Sequence, residues 1–222
     1  MSLHTATQEA TIAIRTTRLL ACGIVAAPLF PVAALIQAFT RDGFDLNRHP
    51  ISLLSLGDHG WIQITNFVVT GVLYIACAAG LRRVLGRGRG GTWGPRLVAA
   101  LGVGLILAGV FVTDAGAGFP AGAPEPRPEM SWHGALHELG FLVVTVSWTA
   151  ACFVFRRRFA GVGQRGWARA CIAAVVAVTV LIAWPDLDSF SVRAVVASAL
   201  QFGVLAAVAA HLIRAPSASS LA

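Results

Sequence analysis

Hydrophobic residues fall in six long runs separated by short polar segments. The runs lie near residues 19–39, 61–81, 96–113, 132–155, 167–184 and 192–213. As helices rising about 1.5 Å per residue, all six are long enough to cross the ~30 Å hydrocarbon core of a bilayer. The pattern predicts an all-α polytopic membrane protein, with a six-transmembrane-helix bundle forming one domain over residues 19–213. Residues 1–18 are then expected to be a cytoplasmic N-terminal segment and residues 214–222 a short disordered tail.

Composition and charge agree with this prediction and orient it. Hydrophobic residues make up 56% of the chain, charged residues 12%, and the mean hydropathy is +0.73, outside the range of ordinary soluble domains. All 17 basic residues are arginine. A cytoplasmic N-terminus places 13 of the 17 on the inner side, the positive-inside pattern of a plasma-membrane protein with both termini cytoplasmic. The net charge of +7 therefore indicates topology and no nucleic-acid partner.

Two outer loops carry further signals. Residues 50–56 are apolar but too few to cross a bilayer, so we expect a short helix at the outer surface. Pro50 suits its first position, Gly57 its end, and Asp58 the N-cap of the next span. Residues 115–131 are rich in Gly and Pro, and we expect them to form an extended, poorly ordered cover.

Polar residues in the second span share one face of the helix. His59, Gln63, Asn66 and Thr70 are spaced by 4, 3 and 4 residues. Because an unsatisfied polar group in lipid is costly, this stripe should turn into the bundle.

A second polar face opens the fourth span, where His133 and His137 lie one turn apart. We expect this face to lie opposite the stripe of the second span, so that the two faces form a pocket open to the outside. Gln201 of the sixth span is placed at the edge of that pocket.

The His-x-x-x-His spacing suits one zinc ion, whose remaining ligands would come from other segments. Asp114, at the end of the third span, would be a ligand or a base, and a serine of the outer helix would orient water. The candidate metal ligands are His133, His137, His59 and His49, and the candidate catalytic groups are Asp114, Ser52, Ser55 and Glu138.

Three stretches carry a family resemblance: "RHPISLLSLGDHGWIQITNFVVTG", "GVFVTDAGAGFP" and "SWHGALHELGF". They resemble the actinobacterial membrane proteins grouped as "domain of unknown function 998", over about residues 19 to 213. That resemblance implies a six-helix bundle and no established activity. The set of Ser, Asp and His-x-x-x-His is also similar, in its parts, to the ceramidases and adiponectin receptors, seven-helix zinc hydrolases of lipid amides. The order of the motifs and the side of the membrane differ from theirs.

Three functions from different classes follow as hypotheses. The first is a zinc-dependent hydrolase that acts on a lipid-like substrate from the outer face. The second is a transporter or proton-coupled channel that uses the stripe of the second span, extended through Tyr74 and Cys77. The third is a haem-binding redox protein with His59 and either His133 or His137 as axial ligands. A bundle with only structural or partner-binding roles stays open as well. Membrane lipid is the expected surrounding partner, and the sequence does not indicate an oligomeric state.

Overall fold

The computed structural model describes residues 3–125, 129–186 and 189–214. Its α-helices are α1 (Leu3–Thr40), α2 (Gly60–Leu85), α3 (Trp93–Val110), α4 (Trp132–Gly161), α5 (Arg165–Ala183) and α6 (Phe190–Arg214), with a short 3₁₀ helix at Ile51–Ser55. All six α-helices are long and apolar enough to cross a membrane, and the described ranges contain no β-strand. The all-α, six-span prediction is confirmed.

Two boundaries differ from the expected ones. α1 is already helical at Leu3, and its apolar part begins at Thr11, so the N-terminal segment continues into the first span. α3 ends at Val110, so Asp114 lies beyond the helix in the connection to α4. Of the predicted C-terminal tail, only Arg214 lies within the described residues, at the end of α6.

The helices form a closed ring in which each packs against its neighbours in sequence and α6 returns to α1. Short connections favour this order because they force consecutive helices to lie antiparallel. Large side chains fill the interior, among them the fully buried Tyr74, Trp148 and Phe155. The indole Nε1 of Trp148 donates to the backbone oxygen of Gln201 at 2.8 Å, which joins α4 to α6 across the ring.

Glycine pairs let α3 lie close to both of its neighbours. A Cβ added at Gly71 of α2 would lie 2.5 Å from the carbonyl oxygen of Gly102 in α3. On the opposite side of α3, a Cβ at Gly140 of α4 would lie 2.7 Å from the oxygen of Gly104. Small residues at such crossings allow backbones to approach, as is usual between membrane helices. As a result α3 is inserted between α2 and α4.

One end of the bundle is closed by what we call the cap, residues 41–59 and 111–125. The predicted outer helix is present in the cap but is a 3₁₀ helix, preceded by Pro50. Gly57 follows it with a φ of +71°, a left-handed conformation that suits glycine. His59, and not Asp58, precedes the first residue of α2, and its side chain makes no capping hydrogen bond.

The second part of the cap is more compact than expected. Residues 115–125 do not form an extended cover, because the chain turns back on itself with paired backbones at Gly116 and Phe119. The Phe119 ring is buried beneath this turn. The buried Phe119 ring gives this Gly/Pro-rich loop a small apolar core, which could not be predicted from its composition.

Candidate functional site

The polar stripe of the second span is buried inside the bundle at Gln63, Asn66 and Thr70, whereas His59 is exposed. Gln63, Thr70 and Tyr74 have no accessible surface, and Asn66 is nearly as buried. Gln37 of α1 lies against them and is buried too. These five residues are called the polar cluster below.

A few hydrogen bonds join the polar cluster to α1. The Gln37 Nε2 donates to Gln63 Oε1 at 2.8 Å, and Asn66 Nδ2 donates to the same oxygen at 3.2 Å. Asn66 Nδ2 also donates to the backbone oxygen of Phe30 at 3.0 Å. The stripe therefore faces α1, whereas the sequence analysis predicted that it faces the fourth span.

Most of the polar cluster's hydrogen-bonding capacity is unused. Within the described part of the chain, no partner is found for Gln37 Oε1, Gln63 Nε2, Asn66 Oδ1, Thr70 Oγ1 and Tyr74 Oη. A buried polar group without a partner costs about 1–3 kcal/mol. Five such atoms in one row are far from the usual state of a protein interior, where buried polar groups are paired.

The row of polar atoms has a closed inner end. From Gln63 to Tyr74 the helix rises about 16 Å, at about 1.5 Å per residue. Beyond Tyr74 the same face of α2 continues with Cys77 and Leu81, both buried and apolar. The polar cluster is therefore a buried row of polar groups that begins one turn below the cap and ends about halfway along α2.

α1 contains two prolines beside the polar cluster. Pro28 and Pro31 lie inside the helix, and a proline has no N–H to donate to the carbonyl four residues earlier. Phe30 lies between them and gives its carbonyl to Asn66. The two prolines therefore remove backbone hydrogen bonds of α1 beside the polar cluster, although the helix continues through them.

The two histidines of α4 face the end of α3. His133 Nδ1 lies 2.8 Å from the oxygen of Val112, and His137 Nδ1 lies 2.8 Å from that of Ala108 and 3.1 Å from that of Phe111. A carbonyl oxygen can only accept, so both Nδ1 atoms carry the proton and donate it. The histidines thus satisfy carbonyls that the end of α3 leaves without helical donors.

Asp114 completes this connection on the side of α4. Its carboxylate accepts from the backbone N–H of Ser131 at 3.0 Å and from the hydroxyl of Ser131 at 2.5 Å. The Ser131 oxygen in turn accepts from the N–H of Gly134 and caps α4. His133 Nδ1 lies 3.8 Å from the same carboxylate. This arrangement, called the α3–α4 clasp below, uses the predicted His and Asp residues to join two helix ends.

His49 lies in a separate cluster inside the cap. Its Nδ1 accepts from the backbone N–H of Asp45 at 2.9 Å, so its Nε2 carries the proton that it donates to the oxygen of Ala117, also at 2.9 Å. The rings of Phe44 and Phe119 pack against the imidazole at 5.2 and 5.4 Å. The Nδ1 bond therefore closes a turn within the first part of the cap, and the Nε2 bond joins that part to the second.

Charged groups reinforce the cap. Arg41 donates to the backbone oxygens of Leu54 and Leu56 at 2.6 Å each, which fixes the 3₁₀ helix against α1. Burial lowers the pKa of Arg41, and the charge of Asp58 opposes that shift in part. At the surface, the hydrogen bond from the N–H of Asn47 lowers the pKa of Asp45.

The predicted site residues therefore divide among three places. The two polar faces do not contact each other, because α3 lies between α2 and α4. The Phe67 ring of α2 lies 6.0 Å from the ring of His137. His59 is exposed at the start of α2, and Glu138 and Ser52 are half-buried outside these clusters. Within the described ranges, no three His, Cys, Asp or Glu side chains come together in a way that could hold a metal ion.

Two of the remaining predicted residues are buried. Ser55 lies in the cap beneath the start of α2, and its hydroxyl finds no partner among the described residues. Gln201 lies on α6 next to Phe202, whose ring contacts those of Phe30 and Tyr74 at 5.4 and 5.3 Å. α6 therefore borders the polar cluster through Phe202, whereas the backbone oxygen of Gln201 accepts from Trp148 of α4.

Sequence analysis missed two residues that complete these sites. Gln37 is the one amide in the long apolar run of α1, and an isolated amide in a span is a sign of an inward polar contact. Ser131 directly precedes the first residue of α4, the position where serine is favoured as an N-cap. Both signals were present in the sequence, but neither indicates which helix the side chain contacts.

Comparison with known proteins supports the family resemblance. The model of a family described as "Protein of unknown function (DUF998)" matches residues 24–215. The chain belongs to the DUF998 family. The match covers all six helices apart from the first part of α1, so the ring of this DUF998 protein and the family region coincide. No curated protein and no solved structure matches the chain, so the partial likeness to ceramidases has no support from these comparisons.

Proposed function

We propose that this DUF998 protein binds a small, uncharged, polar solute in the polar cluster and carries it across the membrane. The observation that supports the proposal is the row of five buried amide and hydroxyl atoms for which the described residues offer no partner. A solute with hydroxyl, amide or carbonyl groups offers the missing hydrogen bonds, and the protein recovers the cost of leaving those atoms unpaired.

The chemistry of the lining supports an uncharged ligand. The polar cluster consists of amides and hydroxyls, and no carboxylate, arginine or histidine belongs to it. Its side chains are fully buried, so a large ligand has no room in the conformation described. The solute class that fits is therefore small polyols, urea-like amides and comparable molecules.

Transport, as opposed to simple binding, is suggested by the two prolines inside α1. The polar cluster ends at Tyr74, so a solute reaches the arginine-rich side only if the helices around it rearrange. Pro28 and Pro31 supply a point where α1 can bend without breaking further backbone hydrogen bonds.

The hydrolase and haem hypotheses have weaker support. His133 and His137 are occupied at Nδ1 with the end of α3, and the described residues provide no third metal ligand beside them. His59 is exposed at the first turn of α2, whereas His137 is buried against α3, which is a poor arrangement for two axial ligands.

Proteoliposomes test the proposal. After mixing with hyperosmotic glycerol or urea, light scattering follows reswelling, and its rate measures solute entry. We expect faster reswelling with the protein than with empty liposomes, and a return to the empty rate for Gln63→Leu and Asn66→Leu. Thr145→Val is the matched control, because the Thr145 hydroxyl bonds only to its own helix, at Phe141, away from the cluster.

Two results would contradict the proposal. One is reswelling at the empty-liposome rate for every solute tested, with protein that is folded by circular dichroism. The other is an equal loss in Thr145→Val and the two leucine variants, because that pattern indicates a general effect on the bundle.

A further inference from the structure

The end of the bundle opposite the cap carries two adjoining clefts lined by arginine. The first, about 480 Å³, lies between the end of α4 and the start of α5, and contains Arg156, Arg165 and Arg169. The second, about 650 Å³, lies on the other side of α4 and contains Arg89 and Arg157 together with Arg156. Because Arg156 lines both clefts, they form one continuous basic surface around the end of α4.

These arginines differ from others at the same end that hold the protein together. Arg82 donates to the backbone oxygens of Gly86 and Gly91, and Arg158 donates to that of Arg89, so both fix the α2–α3 connection. For Arg156, Arg165 and Arg169, by contrast, no side-chain hydrogen bond or ion pair is found with any described residue. All three are exposed.

Among the residues that the structure describes, no carboxylate forms an ion pair with this surface. Both ion pairs of the described residues, Arg48 with Glu125 and His133 with Asp114, lie in the cap or the α3–α4 clasp at the opposite end. Arg165 and Arg169 also occupy the first turns of α5, where the helix dipole is positive and disfavours cations. The positive charge of this end is therefore not compensated by the described residues, and it favours the binding of an anion.

The walls of the first cleft indicate which anion. Ala168, Ile172 and Ala173 of α5 line it and continue from the arginines toward the middle of the span. An apolar wall below three guanidinium groups matches an acyl chain below a phosphate, and Arg binds phosphate oxygens in a two-pronged geometry. In the second cleft, Trp93 is exposed beside Arg89, as is common for a tryptophan at the membrane interface.

We propose that these clefts bind an anionic phospholipid from the leaflet at the arginine-rich end, with the phosphate held by Arg156, Arg165 and Arg169 and an acyl chain lying along Ile172. This site is distinct from the polar cluster, and it stands or falls independently of the proposed transport. The bound lipid lies across the α4–α5 seam and stabilises the ring there.

Native mass spectrometry of the full chain in a neutral detergent tests the site. We expect phosphatidylglycerol to be retained at least about tenfold better than phosphatidylcholine, since each basic group near a membrane surface contributes roughly fivefold to anionic-lipid binding. The triple variant Arg156→Gln/Arg165→Gln/Arg169→Gln should lose that preference. The matched control, Arg18→Gln/Arg83→Gln/Arg87→Gln, removes the same charge from exposed arginines at the same end but outside the clefts, and should keep it.

Two further measurements distinguish a lipid site from an ion site and from diffuse charge. Inorganic phosphate at millimolar concentration should not displace the lipid; full displacement would indicate an ion site with no lipid specificity and overturn the proposal. Equal loss in the control triple would also overturn it, because diffuse charge would then explain the binding. If the cleft triple does not fold, the single variant Arg169→Gln serves instead, with Arg87→Gln as its control. Arg169→Gln is then expected to reduce the preference for phosphatidylglycerol, and Arg87→Gln to keep it.

Discussion

The α3–α4 clasp makes a sharp prediction about His137. This side chain is buried, and its Nδ1–H is the donor for the carbonyl oxygens of Ala108 and Phe111 at 2.8 and 3.1 Å. Leucine at position 137 fills much of the same space but has no hydrogen-bond donor. The carbonyl oxygens of Ala108 and Phe111 then lose the hydrogen bond from the imidazole N–H.

The expected cost follows from that geometry. A buried acceptor left unsatisfied costs about 1–3 kcal/mol, so we expect His137→Leu to lower the free energy of unfolding by that amount. His133→Leu should cost less, about 0.5–1.5 kcal/mol, because its side chain is 43% exposed and water can replace its donor. His137→Asn should stay close to the wild type, since the asparagine amide nitrogen occupies nearly the position of imidazole Nδ1.

Reversible unfolding in mixed micelles, followed by circular dichroism, measures these differences. The same titration is repeated with EDTA and with added zinc. We expect neither EDTA nor zinc to change the free energy of unfolding, because the bonds of the α3–α4 clasp run from imidazole N–H groups to backbone carbonyls. The reasoning is refuted if His137→Asn is as unstable as His137→Leu while EDTA destabilises the wild type, since that pair of results indicates a metal ligand.

Three further predictions use the same assay. Gly134→Ala should destabilise the protein by about 1–3 kcal/mol, because the added Cβ would lie 2.0 Å from the carboxylate of Asp114, whereas Gly166→Ala, with open space around it, should be neutral or stabilising. Trp148→Phe should cost about 1–3 kcal/mol through the lost indole hydrogen bond across the ring; an unchanged midpoint would show that the bond contributes nothing. Thr70→Val should raise stability by up to about 1 kcal/mol by removing an unpaired hydroxyl, and a loss instead would mean that a bound water pairs with it.

Several features could be predicted well because they depend on local periodicity. The inward stripe of Gln63, Asn66 and Thr70 follows from helical spacing and from the cost of polar groups in lipid. The same logic placed His133 and His137 on one inward face. Residue spacing fixes which side chains share a face, and solvent preference fixes whether that face is inside.

The partners of those faces could not be predicted, because they depend on which helices are neighbours. The glycines at positions 102 and 104 allow α3 to lie tightly between α2 and α4, so the histidines contact the end of α3 and the stripe contacts Gln37 of α1. A metal site had required the two faces to meet. The pairing of helix faces is a property of packing over the whole ring, and no single segment encodes it.

The sequence by itself determined the six spans, their helical nature and the inward direction of the polar residues, since hydropathy and helical period act locally and strongly in lipid. Only the tertiary structure decided that the histidines and Asp114 join the ends of α3 and α4, while amides and hydroxyls between α1 and α2 are left without partners. The physical reason is that a hydrogen bond requires two groups within about 3 Å, and that proximity is fixed only when the ring of helices closes.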